Sequence, residues 1–475
     1  MGGMNENPAA LLPEVFLLLG AVLGLLVGAW LPRRRQWVVR AIAAVACTGG
    51  LIATGTAMTQ PAQTVFGGGF AVDIGLNITR IVVLAATLLT LCLSVDSVTN
   101  LARETEFYVL LLLGALGSIS LAGANELLVL VAAYLLASVP LYALAGFSKD
   151  SPGTEAALKY YLLGALFGIV MLLGVTLLFG VGGGTDYPTL AGTLPEAARV
   201  AVAVGLVATL AGLLFKAGAV PAHFWVPDVT QGAPAPVAAF VTTIPKIGAL
   251  VGMYRLLAQA LPGAPVNWSL VVAVIAAVTM TLGNLGAFFQ DDVRRLLAYS
   301  TISQVGYLLM AVAAAGRAAL ALPSLGFYLA AYAITNLGAF AVACALPSAR
   351  RLTDYTGLFS RHRWLALSLV VCLLGLVGTP PTAVFVGKLT IFTATLDAGL
   401  GWLFVLAAVN TVASLFYYLR WIGPLFRRPL VTQDSPETAG RWSTGAAYVA
   451  AIGSVVLGIL SGPALAAFTG ELLLR

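Results

Sequence analysis

Three lysines stand where lysines are costly. Lys216 follows a run of some fifteen apolar or small residues, Lys246 lies midway along the next apolar run, and Lys388 falls inside GLVGTPPTAVFVGKLTIF. If these runs cross a bilayer, each ammonium lies at membrane depth, where ionisable groups are rare and mark ion or proton paths. The chain has five lysines and twenty arginines, and the arginines stay almost wholly outside the apolar runs. Burial penalises an ammonium enough for lysine to load and release a proton, whereas a guanidinium stays charged. The bland alternative for each lysine is snorkelling to an interface. His223, one of two histidines, comes seven residues after Lys216. That is about two helical turns, so it shares a face with Lys216 if the helix continues through Pro221, and it is then a candidate proton relay to water. The alternative is a structural hydrogen-bonder. Nearby, Trp225 reads as an interfacial anchor and Asp228 as a residue that caps or orients the following GAPAP turn. The second histidine, His362, reads as solvated between Arg361 and Arg363.

The elements that must hold these side chains follow from composition. Of 475 residues, 60% are hydrophobic and 9% charged, with mean hydropathy +0.97, where soluble domains carry about 25% charged residues. The expected fold is an all-α polytopic membrane protein with about fourteen transmembrane helices, each needing about 20 residues. Setting the odd-numbered connections on one side collects seventeen of the Lys and Arg, against five on the other: Arg80, Arg199, Arg255, Arg317 and Arg475. By the positive-inside rule both termini then lie on the outer side of a bacterial inner membrane. The net charge of +6 therefore reports topology rather than nucleic-acid binding. Glu14, Glu126 and Glu471 fall at span ends, with Glu14 read as a solvated end carboxylate. The first apolar run is too long for a signal core and has no basic residue before Leu11, so it is expected to stay as a span.

Connections are short, with FGGGFAVDIGL a possible hairpin and GGGTDYPT a turn. GVGGGT stops short of a dinucleotide fingerprint, and Cys47, Cys92, Cys344 and Cys372 are scattered singly, without metal-ligand spacing. No cofactor is expected in this chain. Lys216 with Pro221 and Lys388 with Pro380 and Pro381 fall in expected spans seven and twelve, five spans apart. An odd offset inverts the second copy, which suggests an inverted repeat of two five-helix units with broken helices at those spans. The expected division is residues 1–106 as a three-span segment, 107–257 and 258–430 as the two repeats, and 431–475 as a final span. Residues 364–396 are too long for one straight crossing, and the Thr379-Pro380-Pro381 break explains how they fit.

FKAGAVPAHFWVPDVTQGAPAPVAAF, followed by a span-eight lysine, resembles subunit N of bacterial respiratory complex I, the counterpart of mitochondrial chain 2. LLPEVFLLLG, PLYALAGF, EAALKYYLLGA, DDVRRLLAYSTISQVGYLL and GTPPTAVFVGKL extend the resemblance along most of the chain. It implies a proton-translocating membrane subunit of an NADH-quinone oxidoreductase in the respiratory chain, without a redox centre of its own. NADH, flavin, iron–sulfur clusters and quinone then belong to partner subunits, and the partners are neighbouring antiporter-like and small membrane-arm subunits, lipid, protons and water. It also implies that Lys216, Lys246 and Lys388 form a polar axis. Lys159 matches a family lysine and reads as a positive-inside anchor. Two departures stand out. Leu135 occupies the place of a span-five glutamate that pairs with the span-seven lysine, and Gln304 stands where many relatives carry histidine. Other readings of the chain are a stand-alone cation/proton antiporter component and a largely structural membrane-arm subunit.

Overall fold

An apolar chain in a bilayer satisfies its backbone polar groups through helices, and helices dominate this chain. The structure is a computed structural model that describes residues 7–99, 101–428, 439–470 and 472. Glu471, Arg475, the 430/431 boundary and the end of the last expected span at 473 lie outside the described residues. Helices α1 (Leu12–Trp30) and α2 (Trp37–Ala57) precede strands β1 (Gln63–Val65) and β2 (Phe70–Val72), then α3 (Ile74–Val98) and α4 (Glu104–Gly123). There follow α5 (Leu127–Leu136), α6 (Val139–Ala145), α7 (Ser151–Gly182), α8 (Tyr187–Thr193), α9 (Arg199–Ala217), α10 (Trp225–Gly232) and α11 (Ala235–Arg255). The chain continues with α12 (Trp268–Phe288), α13 (Val293–Ala313), α14 (Ala321–Ala345), α15 (Leu358–Arg361), α16 (Arg363–Val377), α17 (Ala383–Asp397), α18 (Gly401–Leu425), α19 (Arg441–Ile459) and α20 (Ser461–Ala467). The strands form the expected hairpin, antiparallel with Thr64 opposite Ala71.

Among the described residues, thirteen helical segments are long and apolar enough to cross a membrane, with α5 and α6 together forming one. Expected span twelve, residues 364–396, is broken at Gly378–Thr382 into α16 and α17 of 15 residues each, as the Thr379-Pro380-Pro381 sequence implies. Neither half is long enough to cross alone. Three spans are interrupted: α5/α6, α9/α10 and α16/α17. The first was not anticipated, although Pro140 at the second position of α6 signals a helix start rather than an interior. Helices α11, α13 and α14 are buried nearly all round, and α11 packs on α4, α3 and α14. These central helices carry or face the polar residues, whereas α7 and α18 turn apolar faces outward.

Two buried ion pairs tie the bundle together and correct the sequence reading. Glu14 is buried, not solvated: the Arg80 guanidinium donates to both its carboxylate oxygens at 2.8 and 2.7 Å and to the Ala10 carbonyl at 2.9 Å. Arg255 donates to both oxygens of Asp73 at 2.7 Å and to the Ala122 carbonyl at 2.9 Å, with both side chains fully buried. Arg80 and Arg255 are therefore internal ties between distant segments rather than loop cations. Removing one partner of such a pair leaves an uncompensated buried charge, at a cost of about 3–5 kcal/mol.

Candidate functional site

A proline in a helix removes one N–H, so the carbonyl four residues earlier loses its partner. That rule builds the site. In α9 the helix ends at Ala217, and Gly218 adopts the left-handed conformation with φ 75°. Pro221 stands four residues after Ala217, so no helical N–H reaches the Ala217 carbonyl. Lys246 of α11 supplies the missing donor: its Nζ donates to that oxygen at 2.8 Å. In α16 the helix ends at Val377, and Gly378 is left-handed with φ 90°. Pro381 stands four residues on, and Lys388 Nζ donates to the Val377 carbonyl at 2.8 Å. One residue earlier, Pro380 frees the Leu376 carbonyl, and Gln304 Nε2 donates to it at 2.8 Å.

Lys216 fills a vacancy of different origin at the unanticipated break. In a continuous helix the Leu141 N–H would bond the Ala137 carbonyl, but it donates to Ser138 instead at 3.0 Å. Lys216 Nζ donates to the vacant Ala137 oxygen at 3.1 Å. All three ammonium groups therefore sit at the C-terminal end of an interrupted helix, where unsatisfied carbonyls carry the negative end of the helix dipole. Lys216 and Lys246 are fully buried and Lys388 is 3% exposed, so none snorkels to an interface.

Aromatic faces complete each cage. Lys216 Nζ lies 5.2, 6.0 and 5.9 Å from the ring centroids of Tyr134, Tyr142 and Tyr160. Lys246 Nζ lies 6.0 Å from the Trp225 ring, and Lys388 Nζ 4.1 Å from the Tyr307 ring. Such contacts attract a desolvated cation. Among the described residues no ion pair includes any of the three lysines. Leu135, in the place of the family glutamate, is 50% exposed and faces out of the chain, while Tyr134 beside it is buried. The partners of Lys216 are thus a backbone oxygen and three rings rather than a carboxylate.

The neighbours of Lys216 in sequence behave differently from expectation. Because α9 stops at Ala217, His223 does not continue its helix face. No hydrogen bond joins His223 to Lys216 among the described residues, and its Nδ1 is buried without a partner. Trp225 is no interfacial anchor. It is fully buried, stacks on Tyr160 with centroids 4.3 Å apart, and donates from Nε1 to the Phe215 carbonyl at 3.0 Å, tying α10 to α9. Asp228 joins helices rather than capping a turn. It accepts from Lys159 at 2.8 Å and from Arg295 at 2.9 Å, while Lys159 also pairs with Glu155 at 2.7 Å. Lys159, 43% exposed in its side chain, accordingly ties α7 to α10.

Between Lys246 and Lys388 runs a trail of buried polar side chains, of which the sequence reading singled out Gln304 alone. Asn336 donates to Thr243 Oγ1 at 2.9 Å. Tyr332 Oη donates to the Thr242 carbonyl at 2.8 Å and accepts from the Thr301 hydroxyl at 3.1 Å. Tyr328 Oη donates to Gln304 Oε1. Thr411 Oγ1 is 3.4 Å from Lys388 Nζ and donates to Tyr307 Oη at 3.1 Å. On α13 the residues Ser300, Gln304 and Tyr307 fall at i, i+4 and i+7, one face of a helix. That polar stripe on a buried helix was the available signal. Gln304 links α13, α14 and the end of α16.

Interrupted helices with buried cations at the breaks define a class of ion-moving membrane proteins. The transmembrane family described as NADH:quinone oxidoreductase/Mrp antiporter matches residues 124–414. NADH-quinone oxidoreductase subunit N 1 of Streptomyces griseus is 58% identical over 459 residues, covering 97% of each chain. A chain of respiratory complex I from Thermus thermophilus superposes with a TM-score of 0.82 at 32% identity, covering 96% of this chain and 99% of that one. A chain of the Mrp complex from Dietzia shares the fold, with a TM-score of 0.85 at 21% identity over 98% of this chain and 96% of that one. The chain belongs to the subunit N family of NADH-quinone oxidoreductases.

Proposed function

We propose that the chain is a proton-translocating membrane subunit of NADH-quinone oxidoreductase and that Lys216, Lys246 and Lys388 carry its protons. The observation that supports the site most directly is the common seat of the three ammonium groups on carbonyls left open by interrupted helices. A charged lysine matches the negative helix end, and a neutral one does not. Proton loss therefore weakens the clasp between helices, and a strain delivered to a helix break can release the proton. Lys246 meets the residue directly after Lys216, so a change at either lysine reaches the other through one peptide unit. His223, off the α9 helix face but with an open ring nitrogen, serves as a relay only through water. The likeness to the Streptomyces subunit along nearly the whole chain supports membership of the enzyme assembly.

In this reading residues 1–106 form a three-span segment, 107–257 and 258–430 two inverted five-helix units, and 431–475 the final span, with both termini outside. The parallel clasps at Ala217 and Val377 support the pairing of the two units. Electron transfer from NADH to quinone takes place in partner subunits, and this chain carries no redox group. The decisive experiment uses membrane vesicles holding the intact assembly and measures protons moved per NADH oxidised. Lys246→Ala lowers that ratio while NADH oxidation by the partner subunits persists. An unchanged ratio defeats the proton-path assignment, and Na⁺-dependent proton exchange by the isolated chain favours the stand-alone antiporter instead.

A further inference from the structure

One large cavity among the described residues has no part in the lysine axis. It is a groove of about 1130 Å³ between α2, α3, α14 and α19, lined almost wholly by apolar side chains. That exceeds the ~300–1,000 Å³ usual for small-ligand sites. Along α3 the lining runs from Ile81 to Val95, a rise of about 21 Å at about 1.5 Å per residue, against a hydrocarbon core about 30 Å thick. The groove is thus long enough to take acyl chains through more than one leaflet's depth.

Its polarity is confined to one end. Arg40, Arg441, Trp37 and Trp442 gather where α2 and α19 begin and α3 ends. The Arg40 guanidinium lies 6.0 Å from the Trp442 ring centroid and donates to Thr99 at 3.3 Å. Among the described residues neither arginine belongs to an ion pair. The carboxylate at this end, Asp96, is engaged by the α19 N-terminus: it accepts from the Ser443 N–H at 2.8 Å and from the Ser443 hydroxyl at 2.9 Å. Trp37 and Trp442 are 51% and 54% exposed, as tryptophans at a membrane–water interface are. Two cations outside any ion pair among the described residues and two interfacial indoles above an apolar trench match a molecule with one anionic head and long apolar tails. A basic pocket between transmembrane helices on the arginine-rich side is a recognised form of anionic-lipid site.

We propose that this groove is a binding site for one anionic glycerophospholipid. Its headgroup phosphate lies at Arg40 and Arg441, and its acyl chains lie along α3 between Ala86 and Gly445. The lipid fills the seam between the first three spans and the last one, and so holds together segments that are distant in sequence.

The test uses the intact assembly reconstituted in vesicles of phosphatidylcholine containing a small fraction of photoreactive lipid, either phosphatidylglycerol or phosphatidylcholine with a diazirine on one acyl chain. Labelled peptides of this chain are then mapped by mass spectrometry. The expected result is labelling of α3 and α19 by the phosphatidylglycerol probe about five-fold or more above the phosphatidylcholine probe. Arg40→Gln with Arg441→Gln should abolish that preference while leaving NADH oxidation intact. Ala86→Phe, which fills the trench and keeps both arginines, should reduce labelling of α3 by either probe. Equal labelling by the two probes overturns the proposal in favour of bulk lipid, and absence of label from α3 and α19 overturns it in favour of a partner-subunit helix seated in the groove.

Discussion

The breaks at Ala217 and Val377 use the same local chemistry with different wiring. Both end a helix in a left-handed glycine, and both free a carbonyl through a proline four residues on. At the first break the lysine that takes the carbonyl comes from another helix, α11. At the second, Lys388 comes from the continuation of the same span, eleven residues later. The first clasp therefore couples two spans, so that a change in charge on Lys246 is felt by α9. The second closes a span on itself, and its link to the rest of the axis is made by Gln304 on the adjacent carbonyl. A proline-freed carbonyl thus specifies that a donor is required, and the surrounding packing decides where the donor comes from.

Substitutions at the two glycines test this contrast with the largest effect. A Cβ on Gly218 would meet Lys246 Nζ at 2.8 Å and Val226 at 2.7 Å, whereas one on Gly378 would meet the Lys388 Cδ at 3.0 Å. Each alanine also carries a left-handed penalty of about 1–2 kcal/mol, worth up to tenfold or more in a rate that depends on the native geometry. Gly218→Ala should therefore depress protons moved per NADH more than Gly378→Ala, with both lowering thermal stability in detergent. Equal losses would break the distinction between an inter-helix and an intra-span clasp.

The prolines come next. Pro221→Ala and Pro381→Ala each restore an N–H that can compete for the carbonyl held by lysine. Both variants should assemble, and both should lower the proton ratio by less than the glycine changes. A ratio unaffected by Pro221→Ala but lowered by Pro381→Ala would show that only the second clasp matters for transport. Gln304→Leu removes the donor from the buried Leu376 carbonyl, at a cost of about 1–3 kcal/mol for an unsatisfied group. Its expected signature is a lower unfolding temperature with a modest fall in pumping, and a variant as stable as the parent would deny Gln304 its role as a link. The smallest effect belongs to Tyr134→Phe. It keeps the ring over Lys216 and loses one hydrogen bond, to the Gly164 carbonyl at 3.2 Å, worth about 0.5–1.5 kcal/mol. Pumping should be close to that of the parent chain, and a large loss would mean that the phenol rather than the ring face serves Lys216.

Much of this was legible in the sequence because it is local. Helical spans follow from apolar runs, the depth of Lys246 from its place in one such run, and the breaks at Pro221 and Pro380-Pro381 from the missing amide hydrogens of proline. The break at Ala137 carried the same kind of mark in Pro140 but was hidden in a run that reads as one continuous span. At Ala217, Leu376 and Val377 the carbonyls that need donors were in principle readable too, four residues before Pro221, Pro380 and Pro381, whereas the one at Ala137 was not.

What the sequence alone did not decide is which donor reaches which acceptor. Lys216 and the Ala137 carbonyl are 79 residues apart, and Lys246 and the Ala217 carbonyl 29, so these pairings exist only once helices are packed side by side. The same holds for the outward turn of Leu135, the tyrosine rings around Lys216, and the burial of Glu14 and Asp73 against arginines that look like loop cations. Composition determined that the chain crosses a membrane and that its lysines are out of place there. Tertiary packing alone gave each lysine its partner, because an unsatisfied carbonyl and a buried ammonium are both costly until helix contact brings them within hydrogen-bond reach.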